Sequence, residues 1–290
     1  MTSRAMSSAV ESAAMSVSAN TRFVAVPGGQ VLTKIWSPQQ PKHDLTSKSS
    51  PVSPPPVVLL HDSLGCVETW KDFPQKLSER LGRTVVAYDR LGFGQSSPRH
   101  SRPSIHFVKE EATVYLPRIL DQLKIEQCAL LGHSVGGGMA ISAAAHLRHR
   151  VTAIITEAAQ TFVEDRTVQG LKRAQELFQD PNQIKRLEKY HGDKARWVLD
   201  AWIGVWLSPE FADWSLLHEL PLVQCPTLAI HGDQDEFGSN AFPESIIRLS
   251  AGPSQSLLIP DCKHVPHREK PDIVLDEVAR FLKYVGVSQL

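Results

Sequence analysis

The stretch Cys128-Ala129-Leu130-Leu131-Gly132-His133-Ser134-Val135-Gly136-Gly137-Gly138-Met139-Ala140 constrains this chain more than any other. A short apolar run enters a glycine-flanked turn with a serine at its apex and leaves as a small-residue helix. Gly132-His133-Ser134-Val135-Gly136 fits the pattern G-x-S-x-G. Its spacing has a steric cause: a serine in a strained backbone conformation needs small residues two positions before and two after, so that strand and helix can approach. Such a turn lifts the hydroxyl clear of the sheet and aims the first N–H groups of the helix beside it. An ordinary strand-turn-helix packed through its glycines would carry the same letters, so the rest of the chain must decide.

Apolar runs and helical periodicities alternate on both sides of this stretch. Thr21 to Val26 and Gln30 to Trp36 bracket the turn signal Pro27-Gly28-Gly29 and read as a hairpin. Val57 to Leu60 and Thr84 to Tyr88 read as short strands buried on both faces, separated by a helix over Trp70 to Leu81. Val108 to Leu123 is helical, with Leu116, Ile119, Leu120 and Leu123 on its buried side. Val151 to Thr156, Thr227 to His231 and Ser256 to Ile259 complete the strands, and Ile273 to Tyr284 forms a closing helix. This order predicts an α/β fold, a doubly wound, mostly parallel sheet with helices on both faces. Residues 161–220 break the pattern with helical segments, no good strand, and Trp197, Trp202, Trp206 and Trp214. They read as an inserted helical cap on a core of residues 21–160 and 221–290. Packing against the sheet is the expected role of the tryptophans, an aromatic substrate pocket the alternative. Glu164-Asp165-Arg166 reads as a solvated charge cluster.

In a doubly wound sheet the ligand site lies beyond the carboxyl ends of the strands, and three further segments fall there. His61-Asp62-Ser63-Leu64-Gly65 follows one strand, where the Ser63 N–H, or that of Leu64, can join the Val135 N–H in stabilising an oxyanion. His231-Gly232-Asp233-Gln234-Asp235-Glu236 follows another. Asp235, deeper in that loop than Asp233, is the carboxylate expected to orient an imidazole, with Asp233 and Glu236 left to solvent. Cys262-Lys263-His264-Val265-Pro266-His267 follows the last strand. His264 is the expected general base, and His267 the start of a helix.

With Asp89-Arg90-Leu91-Gly92-Phe93-Gly94-Gln95-Ser96, these motifs resemble the α/β-hydrolase superfamily from about Thr21 to Tyr284, in the order serine, acid, histidine. The resemblance implies a capped, esterase-like member with the triad Ser134, Asp235 and His264, Ser63 and Val135 as oxyanion donors, and no cofactor or metal. His61-Asp62 stands where that family usually has His-Gly, which implies a less flexible oxyanion loop. Ser134 argues against relatives that open epoxides or remove halides, which place Asp there. An acyltransferase, a carbon–carbon hydrolase or lyase, and a ligand receptor on the same fold remain alternatives.

Composition narrows the partners. With no net charge and scattered Lys and Arg, the 290 residues offer no nucleic-acid or acidic-membrane surface. No apolar run approaches the ~18 residues of a membrane span. A small-molecule substrate is expected, and the oligomeric state is left open. Cys66, Cys128, Cys225 and Cys262 lack metal-type spacing and read as buried thiols in a reducing compartment. Met1 to Asn20, Ser- and Ala-rich without a secretory apolar core, reads as a disordered tail of a cytoplasmic protein, with Met15 an alternative start. Residues 38–56 read as a mobile surface insertion.

Overall fold

The computed structural model describes residues 16–39 and 53–287. Most of the expected tail and of the expected insertion lies outside them. Eight strands form one sheet in the order β1-β2-β4-β3-β5-β6-β7-β8 among the described residues. The hairpin β1 (Val17–Val26) and β2 (Gly29–Pro38) is antiparallel, and β2 lies antiparallel on β4 (Val85–Tyr88). The remaining strands, β3 (Val57–Leu60), β5 (Cys128–His133), β6 (Val151–Glu157), β7 (Thr227–Gly232) and β8 (Ser254–Ile259), pair in parallel with their neighbours. β1 starts before the expected Thr21: Val17 pairs with Pro38, so residues 17–20 of the expected tail are strand.

Helices cover both faces. On one side, α1 (Phe73–Leu81) and α10 (Pro271–Val287) pack on Val57, Leu59, Ala129, Leu131 and Ile155. The Trp70 to Leu81 reading splits, because a 3-10 turn (Val67–Trp70) ends at Lys71, whose φ is 56°. On the other side lie α2 (Phe107–Glu110), a π turn (Glu111–Tyr115), α3 (Leu116–Gln122) and α4 (Val135–His146). The π turn falls where Pro117 lacks an N–H and cannot continue the α ladder. Helix α4 is buried on all sides from Val135 to Ala145, as its Gly- and Ala-rich sequence requires.

Between β6 and β7 the chain runs through α5 (Asp165–Leu177), α6 (Pro181–His191), α7 (Ala195–Leu199) and a second π turn (Asp200–Gly204). Its only strand-like contact is the bridge between Phe162 and Ser215. The short helices α8 (Ala241–Leu249) and α9 (Pro266–Glu269) complete the fold. Among the described residues no helix is long and apolar enough to cross a membrane.

Candidate active site

Ser134 sits between β5 and α4 with φ 55° and ψ −124°. The flanking glycines are required by contact. A Cβ on Gly132 would collide with the Gly136 carbonyl, and one on Gly136 with the Leu60 carbonyl. Ser134 is buried, and its hydroxyl can donate to His264 Nε2 at 3.0 Å or to the Gln160 carboxamide oxygen at 3.3 Å. His264, in the loop after β8, turns its Nδ1 to both oxygens of Asp235, at 2.8 and 2.9 Å. Nδ1 must carry the hydrogen there, which leaves the Nε2 lone pair facing Ser134.

Asp235 follows β7 and is fully buried, and it accepts the Phe237 N–H at 2.7 Å. Burial opposes its ionisation most strongly, yet His264, His231 and the Phe237 N–H together hold its carboxyl below the usual carboxylate range. Asp233 and Glu236 are exposed. The structure thus brings together all three side chains expected from the strand ends. In chemical terms, a hydroxyl can pass its proton to an imidazole whose cation a buried carboxylate would stabilise.

The Val135 N–H is the first of α4 and by position has no intrahelical acceptor. Ser63 lies in the loop after β3. Ser63 lines two cavities, as do Trp202 and Trp206. The larger, about 250 Å³, reaches His264 and Gln160 and is walled mainly by Leu171, Ala174, Leu177, Phe178 and Phe237. The smaller, about 30 Å³, is bordered by Arg90, Arg99, Glu111, Tyr115 and Met139. The tryptophans therefore divide: Trp197 packs on Phe93 and Trp214 on Phe211, while Trp202 and Trp206 face the cavities.

Several residues here were not singled out from the sequence. His133, inside the serine turn, contacts Asp62 at 3.3 Å and the His264 carbonyl at 2.7 Å. His267 does start a helix, α9, and its Nδ1 also meets the buried Glu157 at 2.6 Å. Arg90 is buried, donates to the Asp62 carbonyl at 2.7 Å, and covers the Phe93 ring at 4.3 Å. Asp89 is structural: it accepts the Val67 and Gln95 N–H groups, and burial pushes its pKa up to about 6. The charged cluster at 164–166 is only partly solvated. Glu164 accepts from Ser239 N and Oγ, and Arg166 donates to the Asp235 carbonyl, so together they hold the loop carrying Asp235. The sequence signal for these contacts was limited to their position in or beside the quoted motifs.

Known proteins resemble this chain in sequence and in fold. A model of the alpha/beta hydrolase fold matches residues 55–187. Serine hydrolase BPHL of Mus musculus is 30% identical over 219 residues, 73% of each chain. The 2-hydroxy-6-oxo-2,4-heptadienoate hydrolase of Pseudomonas putida is 34% identical over 101 residues, 34% of this chain and 36% of that one. Among solved structures, the 2-hydroxy-6-oxo-6-phenylhexa-2,4-dienoate hydrolase of Rhodococcus sp. superposes with a TM-score of 0.74 at 16% identity, over 92% of this chain and all of that one. A serine held on a strained turn at the centre of this sheet, with matching relatives across most of its length, makes the chain a member of the α/β-hydrolase fold family.

Proposed function

We propose that this protein is a serine hydrolase that cleaves a carboxylic ester, or a related acyl bond, of a small to medium substrate with an apolar portion. The observation that carries this reading is the hydrogen-bonded series Ser134, His264, Asp235 beside a largely apolar cavity of about 250 Å³. Ser134 attacks the carbonyl while His264 takes its proton, and the Asp235 carboxylate holds the ring in the required tautomer. The Ser63 and Val135 N–H groups donate to the developing oxyanion. The protonated His264 then gives its proton to the leaving group, and water repeats the sequence to release the acyl group. The helical segment between β6 and β7 acts as a cap, with Trp202, Trp206 and α5 selecting the apolar portion.

The test is hydrolysis of p-nitrophenyl esters from acetate to octanoate by wild type and Ser134→Ala, both checked for folding. The expected outcome is turnover by wild type and a loss of about 10⁴-fold or more in the variant. A folded wild type inert on every ester would overturn the ester reading. A second reading, carbon–carbon bond hydrolysis, draws support from the Pseudomonas putida relative, although the match covers about a third of each chain. Cleavage of a 2-hydroxy-6-oxo-dienoate faster than of any ester would favour it.

A further inference from the structure

His133 separates the first glycine of the serine turn from Ser134, and its ring is buried. Its Nε2 lies 2.7 Å from the His264 carbonyl oxygen, which can only accept, so Nε2 carries a hydrogen. Its Nδ1 lies 3.3 Å from Asp62 Oδ2. A neutral ring with hydrogen on Nε2 would set a lone pair against that carboxylate, whereas an imidazolium satisfies both acceptors. Burial works hardest against the cation, but Asp62, Glu157 and the His264 carbonyl outweigh it and raise the His133 pKa. The other titratable rings facing His133 are His264 at 5.2 Å and His267 at 5.0 Å between centroids; Trp70 closes the remaining side. Arg268 acts on Asp62 from α9.

The other end of the pair organises the loop after β3. Asp62 Oδ1 accepts the Leu64 N–H at 3.1 Å, and the Asp62 carbonyl accepts from Arg90, from the His61 ring and from the Gly65 N–H. Ser63 is held between these anchors. One ion pair therefore touches three segments that are far apart in the chain: the loop with the Ser63 amide, the turn with Ser134, and the backbone of His264.

We propose that Asp62 and His133 are positioning residues, whose ion pair joins the oxyanion loop, the serine turn and the His264 backbone so that the reacting geometry is set before substrate binds. This rests on the serine-hydrolase reading. Asp62, Ser63 and Leu64 border the larger cavity, but its apolar walls come from α5, Trp202, Trp206 and Phe237 on other elements, so loss of the pair lowers kcat by more than it raises KM.

The test is a double-mutant cycle on the ester that wild type turns over best. Asp62→Asn preserves shape and can still accept the Leu64 N–H, and His133→Gln retains a side-chain donor without the cation. Each single variant is expected to lose about 10- to 100-fold in kcat. The double variant should be no slower than the slower single one. Independent losses that multiply, or wild-type kcat in Asp62→Asn, would overturn the proposal. Imidazole nitrogen NMR of the wild type gives a readout without turnover and without variants. At about pH 6.5, where an ordinary histidine is half protonated, the ring in contact with Trp70 and His267 should predominantly carry hydrogen on both nitrogens. A neutral His133 there also overturns the proposal. Failure of the hydrolase reading would show separately, as undiminished turnover in Ser134→Ala.

Discussion

Ser134 carries a side chain at φ 55° and ψ −124°, a region that favours glycine. The position is held by its surroundings: the Ser134 N–H donates to the Glu157 carbonyl at 2.8 Å, and Gly132 and Gly136 leave no room for relaxation. Replacing the serine separates strain from chemistry. Ser134→Gly should be more stable than Ser134→Ala by about 1 kcal/mol, because alanine keeps the Cβ penalty at positive φ. Both should be equally inactive. Urea unfolding of the two variants measures the difference, and equal midpoints would mean that the turn stores no such strain.

Between elements, a single histidine ring joins α6 to the loops after β3 and β4. His191 Nδ1 accepts the Gly94 N–H at 2.8 Å, and its Nε2 donates to the Leu64 carbonyl at 2.9 Å. The ring must be neutral to do both, and burial lowers its pKa. The sign follows from linkage. A histidine whose folded pKa is depressed contributes fully above the unfolded value of about 6.5, and the contribution is lost as pH falls through the lower folded value. At pH 7, His191→Ala should therefore cost about 1–3 kcal/mol, the range for leaving buried partners unsatisfied. The gap from wild type should narrow as pH falls toward 5. Thermal melts of both proteins at the two pH values decide it, since a constant gap would contradict the latch. The two π turns belong to this scale as well: one presents Glu111 and Tyr115, the other Ala201 and Trp202, to the same small cavity.

For the whole molecule, the sheet order places the loops after β3, β5, β7 and β8 around one point, and the chain between β6 and β7 lies over it. Helix α5 lines the larger cavity with Thr167, Leu171 and Ala174, spaced as one helical face. Enlarging the smallest of these should shorten the acyl chain accepted. Ala174→Leu is expected to reduce octanoate relative to acetate hydrolysis by about tenfold or more, in line with 1–3 kcal/mol per methylene in a filled pocket. A parallel fall on both esters would assign Ala174 to folding and not to selection.

The strand–helix alternation, the serine turn and the positions of Asp235 and His264 were legible along the chain, because these features are local. Strands buried on both faces read as apolar runs, and the steric needs of a sharp turn leave their mark within five residues. Local pattern also misled at its edges. Residues 17–20 look polar enough for a tail but pair with β2, and Glu164 and Arg166 look solvated but hold the Asp235 loop. Folding is what makes His133 meet Asp62, His267 meet Glu157 and His191 join α6 to two loops, and what sets Trp202 and Trp206 against cavities while Trp197 and Trp214 pack. Those contacts join residues from separate loops and helices, so no spacing along the chain encodes them. They exist because the strand order β4-β3-β5-β6 brings the loops together, in a buried setting where each polar group must find a partner.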